Sequence, residues 1–166
     1  MAAAAVEGDL IFRRMSEAEV QQWVEANPGR VNDRDRDGYI PLYVAAWDSE
    51  SLSLVVRVLG EKGADVNAPS SSNQTPLHIA SSPDIASALL DRGADPARVS
   101  TDRWSPLMQH VQYGSADVVA RLLQDPHVRA TVNVQDGEGR TVLHLACRCG
   151  LPNAAALIVH SLLQAG

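Results

Sequence analysis

Thr75-Pro76-Leu77-His78-Ile79-Ala80 decides the fold, because it is written four times along the chain. It returns as Thr141-Val142-Leu143-His144-Leu145-Ala146, more loosely as Ile40-Pro41-Leu42-Tyr43-Val44-Ala45, and most loosely as Ser105-Pro106-Leu107-Met108-Gln109-His110. The copies start at 40, 75, 105 and 141, with gaps of 35, 30 and 36 residues. A period of this size marks a repeat architecture, in which each unit completes its core only against its neighbours. The local chemistry of the segment is helical. A hydroxyl ahead of proline provides a cap, and the missing proline N–H suits a first turn, so a helix is expected to start at Pro76. Leu77 and Ala80, three apart, share a face, and the small alanine lets the next unit come close.

A second helix follows in each unit. Gly114-Ser115-Ala116-Asp117 leads into Val118, Val119, Leu122 and Leu123, an apolar stripe at helical spacing. Gly63 and Gly93 end the corresponding helices by accepting a left-handed conformation. Asp37-Gly38 and Gly137-Glu138-Gly139 supply turn residues. Each unit therefore reads as a helix hairpin plus a turn, and the approximate units are 1–34, 35–69, 70–99, 100–134 and 135–166. The first reads as a cap: Ser16 and Glu19 form a capping box, Val20, Trp23 and Val24 share a face, and Asn27-Pro28-Gly29 stops the helix. Residues 10 to 16 read as an insertion. The third unit is short, with Ser81-Ser82-Pro83-Asp84 in place of a longer loop, while Gln124 to Thr131 lengthens the exit of the fourth. The fifth runs through His160, Leu162 and Leu163 to Gly166 without a Gly-Ala-Asp exit.

On these segments the chain resembles the ankyrin-repeat family, whose unit is about 33 residues long. Gly63-Ala64-Asp65-Val66-Asn67-Ala68 and Gly93-Ala94-Asp95-Pro96-Ala97 look like the family's helix exit, and Val31-Asn32 and Val132-Asn133 are shorter forms of it. The resemblance spans nearly the whole chain and implies an all-α solenoid of about five stacked helix hairpins joined by β-turn or hairpin loops, forming a single domain over 1–166.

Composition narrows the function. With 45% hydrophobic and 20% charged residues the chain carries enough apolar material for a core, yet only 4% is aromatic, so packing must rest on Ala, Leu, Val and Ile. A formal net charge of −6 opposes binding to a phosphate backbone, so nucleic acid is not an expected partner. No apolar run is long enough to span a membrane, and Met1 to Ala5 meets acidic Glu7 and Asp9 without the pattern of a signal peptide. The expectation is a soluble, cytoplasmic or nuclear protein. The two cysteines, Cys147 and Cys149, diverge on a helix and cannot bridge each other, which suits a reducing compartment.

Catalytic and metal chemistry find little footing. His78 and His144 occupy the histidine of the repeated segment, where the family uses the ring to tie turns together. Tyr43 and Met108 stand there in the other units, a replacement that packing tolerates and a metal site does not. Cys147 and Cys149 beside His144 offer two converging ligands at most, against the four of a structural zinc. No Gly-x-Gly-x-x-Gly, phosphate loop or nucleophile elbow is present, and Asp35 with Asp37, or Asp91 with Asp95, read as turn and cap residues. No enzyme activity, metal or cofactor is expected.

What remains is surface. The family resemblance implies that hairpin tips and the exposed side of the first helices grip partners. On this chain those positions are Arg36, Asp37, Tyr39, Trp47 and Asp48, then Ser71, Ser72 and Gln74, then Thr101, Asp102, Trp104, Gln112 and Tyr113, and finally Glu138, Arg140 and Arg148. Four of the seven aromatic residues fall in this set, and Trp, Tyr and Arg dominate interface hot spots. The competing use of each ring is packing between units. The expected function is protein–protein interaction on a concave face of tips and inner helices, with a partner that carries a basic patch. The alternative is a regulatory or assembly subunit that docks through its apolar C-terminal helix, using Leu157, Ile158, Leu162 and Leu163. The isolated chain is expected to be monomeric unless that helix pairs.

Overall fold

The computed structural model describes residues 16–35, 38–47, 60–148 and 152–165. Its described helices are α1 (Glu17–Ala26), α2 (Pro41–Trp47), α3 (Pro83–Leu90), α4 (Pro106–Gln112), α5 (Ala116–Leu122), α6 (Pro126–Arg129), α7 (Val142–Arg148) and α8 (Pro152–Ala165), with a 3-10 turn at Pro76–Ile79. They stack in two rows. The inner row runs from α2 through the 3-10 turn to α4 and α7, and the outer row runs from α3 through α5 to α8. Within a unit, α4 packs on α5, α7 on α8, and the 3-10 turn on α3. The core lies between the rows and is filled by Leu42, Leu77, Leu107 and Leu145 from the inner row and by Ile85, Leu89, Leu122 and Ile158 from the outer. Among the described residues this is the all-α stack of helix hairpins expected from the sequence.

Local signals place most helix starts. Ser16 and Glu19 form the expected capping box: the Ser16 N–H donates to Glu19 Oε2 at 2.7 Å, and Ser16 Oγ accepts from the Glu19 N–H at 3.4 Å. Val20 and Val24 are buried beside it, and Asn27 closes the helix ahead of Gly29, which is left-handed at φ 92°. Ser82, Ser105 and Asp125 each cap a helix that begins with proline. Helix α6, where the sequence reading saw only a lengthened exit, folds because Asp125 accepts from the N–H groups of His127 and Val128, and Val128 is buried. The Ala-rich start, all of the insertion at 10 to 16 except Ser16, and Cys149 lie outside the described residues.

The third unit departs from the expected inner helix. Pro76 does begin a turn, but it is a single 3-10 turn ending at Ile79, and Ala80 has already left helical geometry at φ −55°, ψ 113°. The cause is length. Ser82 must be extended before Pro83, which opens α3, so only three residues separate Ile79 from the next helix. Thr75 is also used differently: its N–H and hydroxyl both meet Nδ1 of His78, at 3.0 and 2.9 Å.

Two ladders cross the unit boundaries. At the helix exits, Asn32 donates to the Gly63 carbonyl at 3.0 Å and accepts from the Asp65 N–H at 2.8 Å. Asn67 repeats both bonds to Gly93 and Asp95 at the same lengths. Ala97 stands where a third asparagine would continue the series, so this ladder stops there. Asn67→Ala is expected to lower stability by about 1 kcal/mol, seen as a drop of about 2–4 °C in the melting temperature. Asn133→Ala, at an exposed exit, is expected to change it little.

Candidate functional site

The second ladder builds the candidate site. Four fingers project beside the inner row, and each closes by the same pair of backbone bonds. The first residue's N–H donates to the fifth residue's carbonyl, in Asp35/Tyr39, Ser70/Gln74, Ser100/Trp104 and Asp136/Arg140, at 2.8–2.9 Å. The fourth residue is left-handed every time: Gly38, Asn73, Arg103 and Gly139, at φ 84°, 60°, 62° and 78°. The side chain of the first residue accepts from the fifth residue's N–H, through a carboxylate in Asp35 and Asp136 and a hydroxyl in Ser70 and Ser100. Neighbouring fingers are joined edge to edge, since the Thr101 N–H donates to the Ser72 carbonyl at 3.0 Å and the Gly137 N–H to the Asp102 carbonyl at 3.3 Å. Arg34 ties the first described finger to the second through the Pro69 carbonyl at 2.6 Å.

Inner-row side chains reach into these fingers. The Thr75 N–H can only donate, so Nδ1 of His78 accepts and the ring's proton sits on Nε2, which donates to the Trp104 carbonyl of the next finger at 3.0 Å. Burial pushes the His78 ring down to about 4, against the opposing pull of the Trp104 carbonyl. Tyr43 takes the same place one unit earlier. Its hydroxyl donates to Gln74 Oε1 at 3.2 Å, and burial pushes the phenol up to about 12. Met108 fills the place in the fourth unit as a wholly buried side chain. His144 keeps the inner half of the pattern, with the Thr141 N–H at 3.2 Å from its Nδ1, but it is exposed.

His110 is a tie that the sequence reading missed. It stands where Ala45, Ala80 and Ala146 stand in the other units, it is buried, and its Nε2 donates back to the Leu77 carbonyl at 3.0 Å. Burial holds this ring at about 4 as well. The signal was present as a histidine at a small-residue position. Its meaning depended on the shortened turn, which leaves the Leu77 carbonyl in need of a donor.

The predicted partner-gripping residues separate into distinct groups. Arg36, Asp37 and Asp48 lie outside the described residues. Ser71, Thr101, Asp102 and Glu138 are exposed at the finger tips, and Arg148 is exposed at the end of α7. Ser72 and Gln74 are half-buried and bonded to each other at 3.3 Å, while Gln112 is half-buried at the end of α4. Of the four rings, Trp47 and Tyr113 are open to solvent, 54% and 67% exposed. Tyr39 and Trp104 are packed against the core, the first stacked on Tyr43 with centroids 4.7 Å apart. Arg140 is committed within its own finger, to Asp136 Oδ2 and Glu138 Oε2 at 2.8 Å each, with its guanidinium 6.0 Å from the Trp104 ring centre. Burial raises the Asp136 carboxyl, but the Arg140 and Glu138 N–H groups and the guanidinium outweigh it and hold the group below the usual carboxylate range. Trp104 and Arg140 are thus chiefly parts of the scaffold.

Trp47, Tyr113, Tyr39 and Gln74 meet around one opening. A cleft of 580 Å³ lies over the shortened turn, walled by Tyr39, Tyr43 and Trp47 on the α2 side and by Gln109 and Tyr113 on the α4 side. His78, His110, Ile79, Ala80 and Ser81 also line it. It exists because the third unit lacks the second turn of its inner helix. The chain leaves that turn early, and the Ser81 N–H donates to the Ala46 carbonyl at 3.0 Å.

The C-terminal end differs from the expectation for α8. Ile158 and Leu162 are buried, because α8 packs on α5 and α7, so they are not free to form a docking face. Leu163 is exposed, and the Leu157 side chain lies outside the described residues. A second open apolar position there is Leu143 on α7, 43% exposed where its counterpart Leu77 is wholly buried. Among the described residues, no group of His, Cys, Asp and Glu could hold a metal ion, and no helix is long and apolar enough to cross a membrane.

The two buried rings make stability depend on pH. Unfolded histidine titrates near 6.5 and these rings near 4, so between those values the unfolded chain binds more protons. Stability is expected to be full above about pH 6.5 and to fall by a few kcal/mol toward pH 4. His110→Ala is expected to cost about 2 kcal/mol at pH 7, by stripping the Leu77 carbonyl of its donor, and to flatten the pH dependence. Denaturant titrations across this range check both.

Comparison with known proteins agrees with the architecture. A family model described as ankyrin repeats (3 copies) matches residues 1–100 and 82–165. Zygote-specific protein 3 of Chlamydomonas reinhardtii is 46% identical over 92 residues, covering 52% of this chain and 24% of that protein. Human Rabankyrin-5 is 30% identical over 176 aligned positions, covering 83% of this chain and 14% of that protein. Human NF-kappa-B inhibitor alpha is 29% identical over 131, covering 75% and 41%. The chain spans less than half the length of each of these relatives. With the repeated segment, the stacked hairpins and the family match in agreement over the same residues, the chain belongs to the ankyrin-repeat family.

Proposed function

We propose that the face of fingers and inner helices binds a partner protein, with Trp47 and Tyr113 as its principal anchors. One observation carries this reading. In a chain with seven aromatic residues, two large rings stand more than half exposed on opposite sides of the same cleft, at the ends of α2 and α4. Exposed Trp and Tyr at the rim of a groove are the residue types that dominate binding energy, with truncation costs of about 2 kcal/mol or more. The exposed tips, Ser71, Thr101, Asp102 and Glu138, extend the surface beside them. Arg36, Asp37 and Asp48 belong to the proposed face by their place in the repeat. Ankyrin homologues are protein-interaction modules, and one relative is named as an inhibitor of NF-kappa-B. A net charge of −6 favours a partner with a basic patch, and a cytoplasmic or nuclear setting belongs to the same proposal.

Trp47→Ala combined with Tyr113→Ala tests the reading, because neither ring is part of the core cluster. The double variant is expected to melt within a few degrees of the parent and to lose its partners in affinity capture from cell extract read by mass spectrometry. Retention of every partner by a folded double variant would place the interface elsewhere. The association rate with a captured partner is expected to fall as salt rises, and a salt-independent rate would remove the basic patch from the proposal.

A further inference from the structure

Gln109 stands where Val44, Ile79 and Leu145 stand in the other units, a polar side chain at an apolar position. It is only 8% exposed, and its amide makes no hydrogen bond with any described residue. No fully buried side-chain nitrogen or oxygen among the described residues lacks a partner, so this amide must open onto the cleft it lines. A primary amide offers one acceptor and two donors side by side, the complement of a peptide group's N–H and C=O. The rest of the lining selects against charge. Among the described residues, no Asp, Glu, Lys or Arg lines the cleft, and both histidines there are bonded through Nε2 and held neutral by burial. A charged side chain entering it would lose hydration with no counter-ion in return.

We infer that the cleft is a peptide-anchor site. An extended segment of a partner pairs its main chain with the Gln109 amide and inserts one uncharged, bulky side chain between Trp47 and Tyr113. A volume of 580 Å³ suits a short stretch of extended chain and not a helix, which with its side chains is about 10–12 Å across. The inference rests on the protein-binding reading above and adds the chemistry of what is bound. It also accounts for the polar residue at position 109: a leucine there would serve packing as Leu145 does, but would give a main chain nothing to bond.

The test uses the full chain labelled with nitrogen-15 and four blocked peptides, acetyl-Ser-Gly-X-Gly-Ser-amide, with X as Leu, Phe, Arg or Glu. The Leu and Phe peptides are expected to shift the resonances of Ile79, Ala80, Ser81, Gln109 and Tyr113 saturably, with affinity in the millimolar range. The Arg and Glu peptides are expected to bind at least about tenfold more weakly. Gln109→Leu, which copies Leu145, is expected to keep the melting temperature and to weaken the Leu and Phe peptides about fivefold to tenfold. Shifts outside the cleft, equal binding of the charged peptides, or unchanged binding by Gln109→Leu would each overturn the inference. If no peptide binds while the Trp47/Tyr113 double variant still loses its partners, the anchor site fails and the protein-binding reading stands. If the peptides bind as expected but the double variant keeps every partner, the anchor site stands and that reading fails. If no peptide binds and every partner is kept, both fall.

Discussion

Every part of this molecule depends on the joint between one helix hairpin and the next. No unit can bury both of its faces, so the core of each is completed by residues of its neighbour. The joint is more than apolar contact. His78 fixes its own unit through the Thr75 N–H and the next finger through the Trp104 carbonyl, so one neutral ring links two backbone segments. Asn32 and Asn67 do the same at the helix exits, each reading a carbonyl and an N–H of the following exit. Because these groups are main-chain, the joint tolerates changes of side chain around it, and Tyr43 and Met108 can take the histidine's place by a different bond or by packing alone.

The third unit shows how a loss at one joint is absorbed and turned into surface. Removing the second turn of the inner helix frees carbonyls that a helix would have satisfied. His110 donates to Leu77, and Ser81 turns to Ala46, so the shortened segment is bonded to both neighbours and not left open. The missing volume is not refilled. It becomes the cleft between Trp47 and Tyr113, whose described lining residues include no carboxylate, ammonium or guanidinium side chain, unlike the acidic chain as a whole. The histidines that hold the stack together also form part of the cleft lining.

Finger geometry sets which side chains can meet a partner. The fifth residue of each finger returns toward the stack, so Tyr39, Gln74, Trp104 and Arg140 all spend their side chains largely on packing or internal bonds. The tips and the ends of the inner helices are left for contact. Arginine at the left-handed position of the third finger, and asparagine in the second, accept a conformation that glycine supplies in the others.

The sequence by itself determined the repeat, the capping box at Ser16 and the glycine-ended exits, because each rests on short-range chemistry: periodic apolar positions, a proline in a first turn, a residue that can turn left-handed. Only the tertiary structure decided which rings are exposed, since Trp104 and Trp47 look alike in sequence but one sits at the end of a finger and the other at the end of a helix. It alone decided that Pro76 opens a single 3-10 turn, because that outcome depends on how few residues lead to Pro83 once both ends are held by neighbours. The roles of Gln109 and His110 were visible as polar letters at apolar and small positions. What they bond, or leave unbonded, followed from a void that only the assembled stack creates.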